Sequence, residues 1–195
     1  MKFVTILIPL IMLVFSISYG YQITKGKVKP AISTWLIMFV GIFLSYITYL
    51  IASGWNFVAG ILNFADLLAV IIILFSILIF SKTKLGFKPF EKVYLFIAGA
   101  ITLFWLLTKK AFVSNLLTQA LIWVGYFPTI QKLLEEKKNT ESYFSWSLAL
   151  LAGILSLFPT IKTGNILSSI YVFRTIVMVT IILILMRFYD RKINS

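Results

Sequence analysis

Trp123 to Trp146 reads WVGYFPTIQKLLEEKKNTESYFSW, and the interpretation of this stretch decides the fold. An apolar segment ending on Gln131-Lys132 carries Pro128 in its body; after a charged connection, Ser145-Trp146 opens the next apolar segment. A proline inside a helix lacks the N–H and kinks the helix by freeing the carbonyl one turn earlier. In a membrane that carbonyl is re-satisfied by neighbours or water. Pro128 is therefore a candidate hinge, with Trp123 and Tyr126 as candidate gating side chains beside it and Gln131 at the polar end.

The composition agrees with a membrane setting. The 195 residues are 61 % hydrophobic, with a mean hydropathy of +1.01, against an apolar share of about half in soluble domains. The chain reads as an integral membrane protein. It contains no Cys and no His, which excludes disulfides, thiol nucleophiles, imidazole bases and the usual zinc sites. No metal or cofactor is expected. The formal charge of +12 is spread over short connections between apolar stretches rather than gathered in a patch, which points to membrane orientation and not to nucleic acid.

A spanning helix needs about 20 mostly apolar residues. Seven segments meet or approach this: 3–20, 31–52, 57–80, 93–108, 111–132, 144–161 and 166–187. The first has a rival reading as a secretory signal peptide, although Ser16 to Gly20 is a mediocre cleavage site and its removal would break the repeat described next. Connections rich in Lys and Arg alternate with poor ones. Lys25, Lys27 and Lys29, then Lys82, Lys84, Lys88 and Lys92, then Lys132, Lys137 and Lys138, and finally Arg187, Arg191 and Lys192 mark one face. The positive-inside rule makes that face cytoplasmic, with the amino terminus outside and the carboxyl terminus inside, in the cell membrane.

Segments one to three and five to seven read as two copies of one unit, offset by about 111 residues. Thr34-Trp35 answers Ser145-Trp146, Gly41 answers Gly153, and Gly54-Trp55-Asn56 answers Gly164-Asn165. The first-unit counterpart of the Pro128 region is Tyr19-Gly20-Tyr21-Gln22, which keeps a glutamine and lacks the proline. Two parallel copies of an odd-numbered unit require one inserted helix, which segment four supplies. The chain then divides into 1–81, 82–110 and 111–195. The expected fold class is all-α, with seven transmembrane helices as two parallel three-helix repeats joined by a linker helix (3-1-3).

Pro128, Gln131 and Ser145-Trp146 together resemble the motif of the PQ-loop transporters, the group that contains the SWEET carriers. In that motif the proline and glutamine are adjacent, whereas Thr129 and Ile130 separate them here. The resemblance implies the same 3-1-3 plan, alternating access and a central site lined by the third helix of each unit. A seven-helix opsin is excluded on its own chemistry, because the last segment offers no lysine for a retinal Schiff base.

Of the six carboxylates, Glu91, Glu135, Glu136, Glu141 and Asp190 fall in connections or the tail, and only Asp66 lies within a span. Arg174 is likewise the one basic residue well inside a span. A charge at the bilayer centre costs at least about 2.5–3.5 kcal/mol, so such residues face the protein interior and mark a pair or a pathway. At 1.5 Å per residue, Asp66 and Arg174 lie at roughly the same depth, near Asn63 and Tyr171, with Asn115 and Gln119 slightly above. Two roles stay open: a buried salt bridge that fixes the register of the units, or a substrate site. In the site reading Arg174 takes an anionic group and Asp66 an ammonium group or a coupling proton. Asn63, Asn115 and Gln119 are candidates for substrate contact or for interhelical hydrogen bonds. The five tryptophans read by default as interfacial anchors.

The expected function is alternating-access transport of a small polar solute such as a sugar or an amino acid. The alternative is a non-transporting membrane subunit, receptor or assembly partner. No enzyme activity is expected. The partners are the lipid bilayer and the solute, with proton coupling and a homo-oligomer both compatible. The cytoplasmic halves of segments three and seven are almost wholly apolar, which argues against a permanently open inward path.

Overall fold

A computed structural model describes residues 2–28, 30, 32–80 and 89–193. Lys29 and the connection bearing Lys82, Lys84 and Lys88 lie outside them. The described residues form eight helices: α1 Lys2–Thr24, α2 Ile32–Ala52, α3 Ile61–Phe80, α4 Pro89–Thr108, α5 Ala111–Gly125, α6 Phe127–Glu136, α7 Tyr143–Thr163 and α8 Ile166–Ile193. Among them α1, α2, α3, α7 and α8 are long and apolar enough to cross a membrane. The apolar part of α4, Lys92–Thr108, is shorter.

The fifth predicted segment is divided in two. The helix is interrupted at Tyr126, whose N–H turns to the Trp123 carbonyl at 3.3 Å, a three-residue step in place of the four-residue one. Pro128 stands in the first turn of α6, the helical position that tolerates a missing N–H. Pro128→Ala restores that donor. Because the first turn leaves that donor unpaired in any case, the change is expected to lower unfolding stability by only about 0.4–1 kcal/mol, through the greater freedom of the unfolded chain, which thermal melting would register.

α1 packs on α3 and α7, α2 on α3 and α5, α7 on α8, and α5 and α6 on α8; α4 sits outside, against α2 and α5. Close approach needs small residues, as membrane helix packing generally does. A Cβ built at Gly20 of α1 would lie 2.5 Å from the Ser76 hydroxyl of α3. One end of the bundle gathers the last turn of α1, the starts of α2 and α7, and the far ends of α3 and α8. It is marked by Gln22 Nε2 donating to Ser142 Oγ at 2.7 Å, Thr129 Oγ1 to Thr34 Oγ1 at 3.2 Å, and Asn139 Nδ2 to Asp190 Oδ2 at 3.2 Å. Lys25, Lys27, Lys132, Lys137 and Lys138 flank this basic end. At the opposite end the Ser168 hydroxyl of α8 donates to the Ala59 carbonyl and shares a 2.7 Å bond with Thr160 of α7.

Candidate functional site

A narrow cavity of about 40 Å³, the inner cavity, lies on the basic-end side of the bundle centre. It is lined by Met12 and Phe15 of α1, Trp35 and Met38 of α2, Asp66 and Val70 of α3, Trp146 of α7 and Thr175 of α8, with Tyr126 at the α5–α6 break. A second, tighter cleft, the outer cavity, lies toward the opposite end, between Tyr49, Asn63, Gln119, Ser168 and Tyr171. The Tyr171 hydroxyl donates to Asp66 Oδ2 at 2.6 Å, so one hydrogen bond joins the wall of the outer cavity to that of the inner one.

Asp66 and Arg174 do not form an ion pair, although the depth estimate places them on one level; the described ion pairs are Lys132 and Lys138 with Glu136. Instead the guanidinium carbon of Arg174 stands 4.3 Å from the ring centre of Tyr171 and 6.0 Å from that of Tyr126. Arg174 is 0 % exposed, and its Nε, Nη1 and Nη2 all lack a hydrogen-bond partner. Cation–π attraction of this kind is worth roughly 2 kcal/mol when desolvated, less than the several kcal/mol of removing a guanidinium from water. The charge is under-compensated. Tyr171 holds the two charges on different parts of one side chain, the carboxylate at its hydroxyl and the guanidinium on its ring face.

Asn63, Asn115 and Gln119 converge on one residue of α2. Asn63 Nδ2 and Gln119 Nε2 donate to Ser45 Oγ at 3.0 and 2.8 Å, and Asn115 Nδ2 donates to the Ser45 carbonyl at 2.7 Å and to Thr48 Oγ1 at 3.1 Å. This ties α3 and α5 to α2 by interhelical hydrogen bonds. The acceptor ends of the two residues that line the outer cavity, Asn63 Oδ1 and Gln119 Oε1, remain buried without a partner.

Of the hinge and gate candidates, Tyr126 lines the inner cavity. Trp123 is on the outer surface of the bundle, 36 % exposed. Gln131 is exposed and donates to Glu135 Oε1 at 2.6 Å. Trp35 and Trp146 depart from the interfacial default, being buried in the bundle. Their rings lie 6.3 Å apart in a cluster with Phe15, Tyr19 and Tyr126; Tyr19 stands 5.0 Å from Trp35 and Tyr126 6.5 Å from Trp146.

Glu141 was read as a connection residue, and it does lie outside the helices. It is nonetheless buried. Its Oε2 accepts from the Tyr19 hydroxyl at 2.6 Å and from Trp146 Nε1 at 3.1 Å, joining α1 to the start of α7 beneath the aromatic cluster. A lone glutamate three residues past a Lys-Lys pair carries no sequence signal of burial. Comparison with protein-family models, curated proteins and solved structures finds no match to the chain.

Proposed function

We propose that this protein moves a small polar solute across the cell membrane by alternating access, with the inner cavity as the solute site. The observation that carries the reading is a cavity at the bundle centre with a carboxylate in its wall, together with a fully buried guanidinium, Arg174, that lies outside its lining and is linked to it through Tyr126 and Tyr171. In this reading Arg174 meets an anionic group of the solute and Asp66 an ammonium group, while Trp35, Trp146 and Phe15 enclose an apolar body. Few cavity hydroxyls are present to match a sugar. Thr34 is engaged by Thr129, so a zwitterion suits the lining better.

The helix packing supports two rocking units in the manner of a PQ-loop carrier. Exchanging α1 with α5–α6, α2 with α7 and α3 with α8 turns the α1–α3, α2–α3 and α1–α7 contacts into α5–α8, α7–α8 and α2–α5, all of which occur. In this 3-1-3 reading α4 is the linker, α5 and α6 form one broken span, and the basic end is cytoplasmic by the positive-inside rule. Parallel repeats with a site between them are an established transporter plan. The alternative, a non-transporting protein whose Asp66 and Arg174 fix the register as a salt bridge, is favoured by no contact between the two.

Ligand-induced thermal stabilisation tests the reading, because a ligand at 100 times its Kd adds about 2.7 kcal/mol. The purified protein is melted with amino acids, sugars and carboxylates, then again as Asp66→Asn and Arg174→Gln. The expected result is stabilisation by one solute class that both substitutions abolish. No stabilisation by any solute, with both variants strongly destabilised, would return the pair to a structural role.

A further inference from the structure

The basic end of the inner cavity is closed by a clasp built on Glu141. Its carboxylate is 7 % exposed, whereas Glu135 and Glu136 of α6 are exposed to solvent. Tyr19 from α1 and Trp146 from α7 both donate to Oε2. Gln22 of α1 extends the clasp by donating to Ser142, whose hydroxyl also accepts from the Ser145 N–H and caps α7. Asn139 accepts from the Glu141 N–H at 3.0 Å and donates to Asp190 of α8. Trp146 is itself a cavity wall, and Tyr19 packs on Trp35, so the cavity cannot open at this end while the clasp holds.

The groups that face Glu141 are few. Tyr19 comes from α1, Lys132 from α6 acts at longer range, and Asp190 of α8 stands behind Asn139. Among the described residues no cation lies within ion-pairing distance of Glu141. Desolvation of a buried carboxylate favours its protonated form. Because both donors fall on Oε2, a proton can sit on Oε1 without displacing either bond.

We propose that Glu141 is a proton-binding site: it holds a proton while this end of the cavity is shut and surrenders it to water when the end opens. The assignment rests on the transport reading, to which it adds control of one end of the cavity by the pH of the water on that side. Burial pushes the Glu141 carboxyl above the usual carboxylate range, against the lowering by Tyr19, Trp146 and Lys132. A group whose pKa is higher in the shut state binds its proton more tightly there, so proton uptake favours shutting and proton loss favours opening. The window runs upward from the ordinary glutamate value of about 4.3 to the raised one. The proton leaves Oε1 for water as the clasp parts and returns from water before it re-forms.

The chain has no cysteine, so a single Ala149→Cys in the cavity wall can be labelled selectively with a water-soluble maleimide. The rate is normalised to that of an exposed Lys162→Cys at the opposite end, which removes the thiol's own ionisation. Normalised labelling is expected to rise by up to about tenfold per pH unit within the window and to level off above it. In Glu141→Gln, whose amide cannot release the proton, labelling stays low at every pH. Tyr19→Phe, which deletes one donor to the carboxylate, shifts the midpoint to higher pH. Flat labelling in the parent, undiminished pH dependence in Glu141→Gln, or an unmoved midpoint in Tyr19→Phe would each overturn the proposal. The two readings separate: pH-gated labelling without flux of any stabilising solute removes transport alone, and solute flux with flat labelling removes the proton site alone.

Discussion

Arg174→Met is expected to make the protein more stable and to abolish solute binding. The side chain is 0 % exposed, its three nitrogens make no geometric hydrogen bond, and it has no ion pair, its nearest neighbours being the ring faces of Tyr171 and Tyr126. Replacing buried charge by an apolar side chain of similar volume is often worth 1–4 kcal/mol in other proteins, and an uncompensated guanidinium places this site toward the favourable side of about 1–4 kcal/mol. The same change removes the counter-charge for the solute's anionic group. Charge-assisted hydrogen bonds are worth about 1.5–3 kcal/mol each, so losing two weakens binding by at least about 100-fold. Melting curves with and without the stabilising solute measure both effects. A variant that melts lower than the parent would mean that Arg174 already has a structural partner, and the site reading would lose its main support.

Trp146→Ala carries the second large effect. Trp146 is 4 % exposed, meets Trp35, Phe15 and Tyr126 through ring contacts, and donates to Glu141. Truncating a buried tryptophan costs about 3–5 kcal/mol, and the lost donor frees one side of the clasp. The expected outcome is a lower melting temperature together with fast labelling of Ala149→Cys at every pH. Trp146→Phe keeps most of the packing and loses only the N–H, so it should melt close to the parent while opening more readily. If Trp146→Phe and the parent label alike, the indole N–H is not part of the closure.

Much of the fold was legible because bilayer thickness writes helix length into the chain. Five of the expected spans appear as long apolar helices, and the broken fifth segment was announced by Pro128. Asp66 and Arg174 were found as the charges with no business in lipid, and both are buried at the bundle centre. Their partners were not legible. Tyr171 is marked by its depth alone, and nothing in sequence indicates that its hydroxyl takes the carboxylate and its ring the guanidinium. Ser45 was invisible for a similar reason: a serine in an apolar helix is common, and its role as the common acceptor of Asn63 and Gln119 depends on how α2, α3 and α5 pack. Glu141 does lie in a connection, as its position indicates, but its burial was not legible, because sequence position reports proximity to the membrane surface and not enclosure by α1 and α7.

The two ends of the bundle are fastened with different chemistry. Ser168, Thr160 and the Ala59 carbonyl are neutral throughout the physiological range, whereas the Glu141 clasp is ionisable. In the transport reading, the far end then opens at the same free-energy difference in acid and in base, and only the near end responds. Such a molecule answers to the acidity of one compartment alone: alkaline water on the near side frees that end, and the pH on the other side is without effect.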